Sequence, residues 1–201
     1  EEVDEETKEI ARLIRLLNVK SKPALLQQAC AGLARAFIQT PARKESLISQ
    51  HGIIPLMEIL EVGKPRIKVD ALILINQIVR DDPQFQQKLC LVGLLPLVVQ
   101  LGFSYEEPGA DAEAEAAAVQ QQLLAEVVRF VAEICRPQSS TLALQVFIAC
   151  DGLKVLSSFL EKEVLFRPVA PDGAQRDGVP RTASPSLTHL VIDSIWSIFN
   201  R

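Results

Sequence analysis

A glycine recurs three times along the chain, and the same spacing of apolar residues follows it each time. The glycines are Gly52, Gly93 and Gly152, and apolar residues lie one, four and eight positions after each. Another apolar residue lies four positions before each glycine. Spacings of three and four are typical of helices, and glycine favours a bend between them. The sequence therefore predicts helix–bend–helix units in tandem, with the glycine making the bend.

A longer helix in each unit carries a second repeated pattern. Large apolar residues bracket four central positions, which are Arg35, Asn76, Ala132 and Ser197. From the first three centres to the next glycine the separations are 17, 17 and 20 residues. Because these separations are nearly constant, the pattern predicts one domain of four helical repeats.

The repeats are predicted at roughly residues 1–40, 41–82, 83–137 and 138–201. The last two are longer, and their additional stretches at about 103–113 and 165–185 are rich in Pro, Gly and charge. Such composition predicts inserted loops. Ser184 precedes Pro185 in the second stretch, which predicts a site for a proline-directed kinase.

Tandem units of this kind predict an all-α, right-handed superhelical solenoid of the armadillo/HEAT type. The predicted helices span residues 4–17, 23–39, 42–50, 53–61, 65–80, 84–91, 94–102, 113–136, 140–149, 153–162 and 186–200. The predicted core between repeats comprises Leu56, Leu60, Leu97, Leu101, Leu156, Leu160, Leu74, Ile78, Phe130 and Ile134.

Composition excludes several classes of function. The chain has 201 residues, is 48% hydrophobic and has a net charge of −4, so bulk charge implies no nucleic-acid surface. No apolar run approaches the roughly 20 residues that span a bilayer, so no membrane insertion is expected. Because the sequence starts at Glu1 without a methionine, we expect a piece of a longer, cytoplasmic protein.

The sequence offers no catalytic or metal-binding pattern. Cys30, Cys90, Cys135 and Cys150 match no short zinc-ligand spacing and predict buried structural thiols in a reducing compartment. There is no Gly-rich phosphate loop, HRD catalytic loop or DFG motif, so this segment does not transfer phosphate. We therefore predict no cofactor and no catalytic residue.

Four strings give the chain a family resemblance. Gln50–Leu60, Leu74–Asp82, Cys90–Pro96 and Leu144–Leu153 resemble the non-catalytic armadillo region of one kinase family. That family comprises the plant MAP kinase kinase kinase epsilon enzymes and the fungal septation-initiation, or mitotic-exit, kinases. The resemblance covers most of residues 20–165 and continues more weakly to residue 200. The long insertions favour a fungal member.

The resemblance implies a Ser/Thr protein kinase domain outside this chain. It also implies association with a Ras-like GTPase or a spindle-pole scaffold, and location at spindle pole bodies and the division site. We therefore expect a protein-interaction and localisation module acting in septation and cytokinesis. Two modes stay open, effector-like docking of the GTPase or its scaffold and binding of an extended peptide segment in a groove.

The four central positions are those at which armadillo repeats usually present an Asn to a bound chain. One turn later lie Arg80 and Arg136, and one turn earlier lie Leu72 and Val128. Residues four apart share a helix face, which predicts an apolar strip bordered by arginines. The predicted partner-binding residues are Arg35, Leu72, Asn76, Arg80, Val128 and Arg136. An alternative is that arginines at helix ends only offset the helix dipole. Lys44 is expected on the opposite, convex face.

Overall fold

Helices form all the regular structure in the part of the chain that the computed structural model describes, residues 2–105, 113–162 and 186–200. The all-α prediction is therefore confirmed for these residues. A short 3₁₀ helix, Pro41–Lys44, precedes α3. The helices are α1 Glu2–Leu16, α2 Pro23–Gln39, α3 Glu45–Ser49, α4 Ile53–Val62, α5 Pro65–Val79, α6 Pro83–Leu91, α7 Leu94–Phe103, α8 Ala114–Cys135, α9 Thr141–Ala149, α10 Gly152–Leu160 and α11 Leu187–Phe199.

Most helix starts follow from local sequence. Proline occupies the first turn of α2, α5 and α6, where its missing N–H has no intrahelical partner to lose. Asp82 caps α6 by accepting a hydrogen bond from the Phe85 N–H at 3.0 Å. Ser140 and Ser186 cap α9 and α11 in the same way. These signals explain why the predicted helix limits agree closely with those observed.

The three bends depend on one left-handed residue each, and only one of these is a glycine. Gly93 has φ 88°, whereas His51 and Asp151 have φ 57° and 63° and precede Gly52 and Gly152. Gly52 itself has φ −71°. The prediction that glycine makes every bend is therefore wrong for the first and third bends.

The other two glycines are required for space. A Cβ on Gly52 would lie 2.6 Å from Leu47 Cδ1, and one on Gly152 would lie 2.5 Å from the Phe147 carbonyl oxygen. Real Cβ atoms do not approach other atoms so closely. A side chain at position 152 would therefore collide with backbone, and one at position 52 would have to displace the buried Leu47 methyl group. The recurrence of glycine in the sequence thus has two different physical causes.

The left-handed residue also sets which side of the next helix is buried. Leu56, Val98 and Leu156 lie five positions after the left-handed residue of their bend, and all three are buried. Leu97 lies four positions after Gly93 and is only partly buried, as are Leu101 and Leu160. A prediction that counts positions from the glycine therefore places the buried face of α7 one residue too early. The remaining predicted core residues are buried.

Helices that end each repeat pack in chain order. We call α2, α5, α8 and α11 the third helices: α2 packs against α5, α5 against α8, and α8 against α11. Helices α4, α7 and α10 pack successively in the same way, and α1 covers α2 at one end. The continuous core lies between these two rows. This arrangement places one face of every third helix beside its neighbours.

Three predictions fall on residues that the structure does not describe. The second insertion, at about 165–185, and the proposed phosphorylation site Ser184 lie in residues 163–185, and most of the first insertion lies in residues 106–112. Within the described ranges, no single helix is long and apolar enough to cross a bilayer. The pairs α6–α7 and α9–α10 reach that length and composition, but they are bent by 83° and 75°.

Candidate protein-interaction face

An open cleft of about 470 Å³ lies where α5, α8 and α11 meet. Its lining joins two of the predicted binding arginines to the central Asn76 and adds two carboxylates that the sequence analysis did not identify. Because three successive third helices contribute to it, the cleft belongs to the face that the repeats share. The lining residues are Ile73, Asn76, Gln77, Arg80, Glu126, Arg129, Ala132, Glu133, Arg136 and Leu190.

Asn76 is already engaged inside the molecule. Its Nδ2 donates to the Glu126 backbone oxygen at 3.1 Å and to Glu126 Oε2 at 2.8 Å. Its Oδ1 is buried and has no hydrogen-bond partner among the described residues. The amide group therefore joins α5 to α8, and a bound chain would have to displace Glu126 from its donor.

Glu126 is buried in a helix of mostly apolar neighbours. Its carboxylate is shared, because Oε1 accepts from Arg129 Nη1 while Oε2 accepts from Asn76. A buried carboxylate is costly unless it is paired and hydrogen-bonded, and here it is both. Arg129 itself stays 45% exposed, so its guanidinium borders the cleft.

A second carboxylate, Glu133, holds the joint at which α5 turns into α6. Its Oε1 accepts from the backbone N–H of Asp81 at 2.9 Å, and Asp81 has a left-handed φ of 52°. Arg136 Nη1 lies 3.0 Å from both Asp81 Oδ1 and Glu133 Oε2. Arg136 thus closes a three-residue ion network between neighbouring repeats.

The predicted binding residues do not all reach the surface. Leu72 and Val128 are buried between third helices, so the expected apolar strip is not exposed at these positions. Four residues in a helix of 3.6 per turn advance by about 40° beyond one full turn. Leu72 and Val128 lie one turn before the central residue, and this rotation of about 40° turns their side chains toward the neighbouring helix.

The exposed arginines are Arg35 and Arg80. Arg80 is 63% exposed, and its Nε lies 3.8 Å from Asp81 Oδ2, a contact that solvent screens. Arg35 is exposed on α2 and does not line the cleft. The structure therefore brings Asn76, Arg80 and Arg136 together, places Arg35 apart and puts Leu72 and Val128 beneath the surface.

Lys44 does not lie free on an opposite face, as had been expected. It is buried, its Nζ donates to the Ile78 carbonyl oxygen at 2.9 Å, and it lies 3.6 Å from Asp82 Oδ2. A cation at the C-terminal end of α5 satisfies one of the helix's last carbonyls. Lys44 therefore ties the start of the second predicted repeat to the C-terminal end of α5 and is unsuitable as a neutral control.

The sequence analysis missed Glu126, Arg129 and Glu133. A usable signal was present, since both carboxylates interrupt the apolar stretch Leu123–Ile134. An acidic residue within a buried stretch indicates a partner on a neighbouring element. Arg80, Arg129 and Arg136 face Asp81, Glu126 and Glu133, so the charges of the cleft compensate each other.

The four cysteines are free thiols, and all but the half-buried Cys150 are buried. Burial raises the pKa of the Cys30 thiol to about 12, with a further contribution from the nearby Asp70 carboxylate. Burial likewise raises the pKa of Cys90. A buried thiol with a raised pKa is a poor nucleophile, which agrees with a structural role for Cys30 and Cys90.

No protein-family model matches the chain. Its relatives include "MAP3K epsilon protein kinase 1" of Arabidopsis thaliana, 33% identical over 191 residues, and "Cytokinesis protein sepH" of Emericella nidulans, 31% identical over 192 residues. Each match covers 95% of this chain. "Cell division control protein 7" of Schizosaccharomyces pombe is 31% identical over 75% of the chain.

The chain spans about 12% of the length of these relatives. The resemblance inferred from the four strings is confirmed over nearly the whole chain. Plant and fungal relatives match at similar identity, so a fungal source stays a prediction. Because the chain lacks the kinase motifs, the catalytic domain of such a kinase lies outside it.

Proposed function

We propose that this chain is a protein-interaction and localisation module. It belongs to the family of MAP3K epsilon and septation kinases, of which it is one non-catalytic segment. The whole protein is then a Ser/Thr protein kinase that acts in septation and cytokinesis. The names of the fungal relatives, which refer to cytokinesis and cell division, support this assignment. Cytoplasmic location, with recruitment to the spindle pole body and division site, is part of the same proposal.

We further propose that the four repeats form a right-handed armadillo-like solenoid. The packing of the third helices in chain order supports it, because stacked repeats contact only their neighbours. A row of such helices offers an extended wall of the kind that solenoids use for partner binding. The repeat limits predicted from the sequence are kept as part of this proposal.

The cleft between α5, α8 and α11 is the observation that carries the binding proposal. It is open, it is lined by polar and charged groups together with apolar side chains, and it carries the exposed Arg80 and Arg129. We assign to it a Ras-like GTPase or its scaffold as partner. The partner's nucleotide state would alter the partner's surface while this wall stays rigid.

A second mode is binding of an extended peptide in the same cleft. Asn76 favours it, because its buried Oδ1 has no hydrogen-bond partner among the residues that the structure describes, and its Nδ2 donates to Glu126 alone. Movement of Glu126 would release a side-chain amide able to bind a peptide backbone. Arg136 is less available, since it is tied to Asp81 and Glu133.

The test reverses the charge of the exposed arginine at the cleft edge that is not held by a buried carboxylate, Arg80→Glu. We expect binding to a GTP-analogue-loaded septation GTPase to weaken about tenfold, or about 1.4 kcal/mol. Arg15→Glu and Lys20→Glu, each made singly, form the control pair, because both residues are exposed outside the third-helix face. Isothermal titration would measure affinity, and circular dichroism would check helicity.

Three outcomes separate the modes. Tighter binding of the GTP-loaded than the GDP-loaded GTPase, lost in the arginine variant, supports docking of the GTPase. Binding to peptides from disordered segments, lost in Asn76→Ala, supports the groove mode. Equal loss in the control pair would place the partner on another face and reject the cleft.

A further inference from the structure

The last third helix, α11, exposes a row of large apolar side chains. Ile192, Trp196 and Phe199 are 50%, 71% and 75% exposed. Their spacing of four and three residues puts them on one side of the helix. We call these three residues the terminal stripe.

The same positions are buried in every earlier third helix. Relative to the central residue, the terminal stripe occupies positions −5, −1 and +2. All nine residues at these positions in α2, α5 and α8 are buried. They are Cys30, Ala34 and Phe37 in α2, Ala71, Ile75 and Ile78 in α5, and Val127, Val131 and Ile134 in α8.

A second row gives the same result independently. Two positions after the left-handed residue of each bend lie Ile53, Leu95 and Leu153. Ile53 and Leu95 are buried, whereas Leu153 in the last repeat is exposed. In both rows, therefore, the apolar residues are exposed only in the last repeat. They lie there on the side that each earlier repeat turns toward the repeat after it.

We propose that the terminal stripe is the docking surface for a further helical repeat of the same polypeptide. That repeat would pack its third helix on α11 as α11 packs on α8. The stripe has the register and apolar chemistry of the three internal contacts, so it fits an element of the same kind. The relatives also extend well beyond the matched segment, since the chain spans about 12% of their length.

A second copy of this chain fits the stripe less well. The opposite end of a copy presents the outer side of α1, which carries the exposed Glu5, Glu9, Arg12 and Arg15. Stacking that side on Trp196 and Phe199 would remove these charges from water, the Glu9–Arg12 ion pair among them. A two-fold pairing through the stripe alone would leave Leu153 uncovered on α10. This inference does not depend on the cleft or on its partner.

Trp196 is the only tryptophan of the chain and therefore reports on the stripe directly. The experiment compares the 201-residue chain with the natural polypeptide extended by one repeat length past residue 201. In the shorter chain, we expect red-shifted emission and strong acrylamide quenching. In the extended chain, we expect a blue shift and loss of most quenching, at the same protein concentration.

Ile192→Ser and Ile54→Ser form a matched pair, because both isoleucines are exposed in the shorter chain. In the extended chain, Ile192→Ser should lower the urea midpoint and restore quenching of Trp196, while Ile54→Ser should change neither. In the shorter chain, neither substitution should shift the midpoint.

Three results would overturn the proposal. One is a natural polypeptide that ends at residue 201, and another is an extended helical chain in which Trp196 stays fully quenched. The third is a concentration-dependent blue shift of the shorter chain that coincides with dimer formation in sedimentation, which would assign the stripe to a second copy.

Discussion

The two ends of this molecule differ in whether the outer side of the last long helix is covered by another helix. At the first end, α1 lies across α2 with Ile10, Leu13, Ile14 and Leu17 buried, and charged residues face outward. At the other end, α11 buries one side on α8 and leaves the terminal stripe exposed. A stacked array needs a polar outer face at each end to stay soluble. The first end has that face, and the last end lacks it.

The contrast shows that an apolar residue in a repeat cannot be assigned to the core from its own repeat alone. Ile134 and Phe199 hold the same register position and have similar chemistry. Ile134 lies on α8, which packs against α11, and is buried, whereas Phe199 lies on α11, the last helix described, and is exposed. Burial in a stacked array is therefore a property of neighbouring units.

The largest expected effect compares these two positions directly. Ile134→Ala should destabilise the 201-residue chain by about 2–5 kcal/mol, because it removes buried methyl groups and leaves a cavity. Phe199→Ala should stay within about 0.5 kcal/mol, since the ring is already in solvent. Urea unfolding followed by circular dichroism gives both values. Equal losses would show that Phe199 is covered in solution.

A smaller difference is expected between two lysines. Lys44→Met should cost about 1–3 kcal/mol, because the Ile78 carbonyl loses its buried donor. Lys154→Met should cost less than about 1 kcal/mol, since Lys154 makes only an exposed ion pair with Asp151 in the last repeat. The same unfolding assay measures both variants. An unchanged free energy of unfolding for Lys44→Met would contradict the tie between Lys44 and the end of α5.

The alkylation rates of the thiols give a further comparison of the covered and the exposed end. Cys30 holds a stripe position covered by α5, and its pKa is raised to about 12. Cys150 lies half-buried near the exposed end. Iodoacetamide near neutral pH should therefore alkylate Cys150 first and reach Cys30 only as the chain unfolds. Mass spectrometry over time would reveal the order, with urea-unfolded protein as the reference for equal reactivity.

The smallest effect concerns pH and the covered side of α2. Burial raises the pKa of Asp70, although Gln27 and Arg66 act against the shift. The folded chain then binds the proton more tightly than the unfolded chain. This contribution to stability is therefore lost as pH rises from about 4 through the folded pKa. Asp70→Asn should flatten that part of the urea-midpoint curve, and the exposed Asp193→Asn should leave it unchanged.

The sequence was sufficient for the helices and insufficient for their exact rotation. Apolar period, prolines at helix starts and capping residues are local, and they predicted the helix limits well. The rotation of α7 depends on whether Gly93 or the residue before it adopts the left-handed conformation. Nothing in the apolar spacing separates these cases, because α7 is apolar on most of its surface. Leu97 was therefore chosen where Val98 carries the contact.

For the candidate face, too, some features could be predicted from the sequence and others could not. Register alone placed Asn76, Arg80 and Arg136 near one another, and the structure agrees. It could not show that Leu72 and Val128 turn inward, since that depends on how closely neighbouring helices approach. The contact of Lys44 was not predicted because its partner, the Ile78 carbonyl, lies 34 residues away on another helix. The apolar pattern of one helix does not encode its contacts with other helices.

The covering of α2 by α1 has a consequence for how the chain acquires its structure during synthesis. Of the helices described here, α1 and α2 leave the ribosome before the others, and N-terminal units generally fold before later ones emerge. Each new third helix then meets a finished surface, with α1 already protecting the far side. A nascent chain that folds in this order exposes about one uncovered apolar helix face at any time. The direction of translation thus matches the direction in which the array can grow without aggregating.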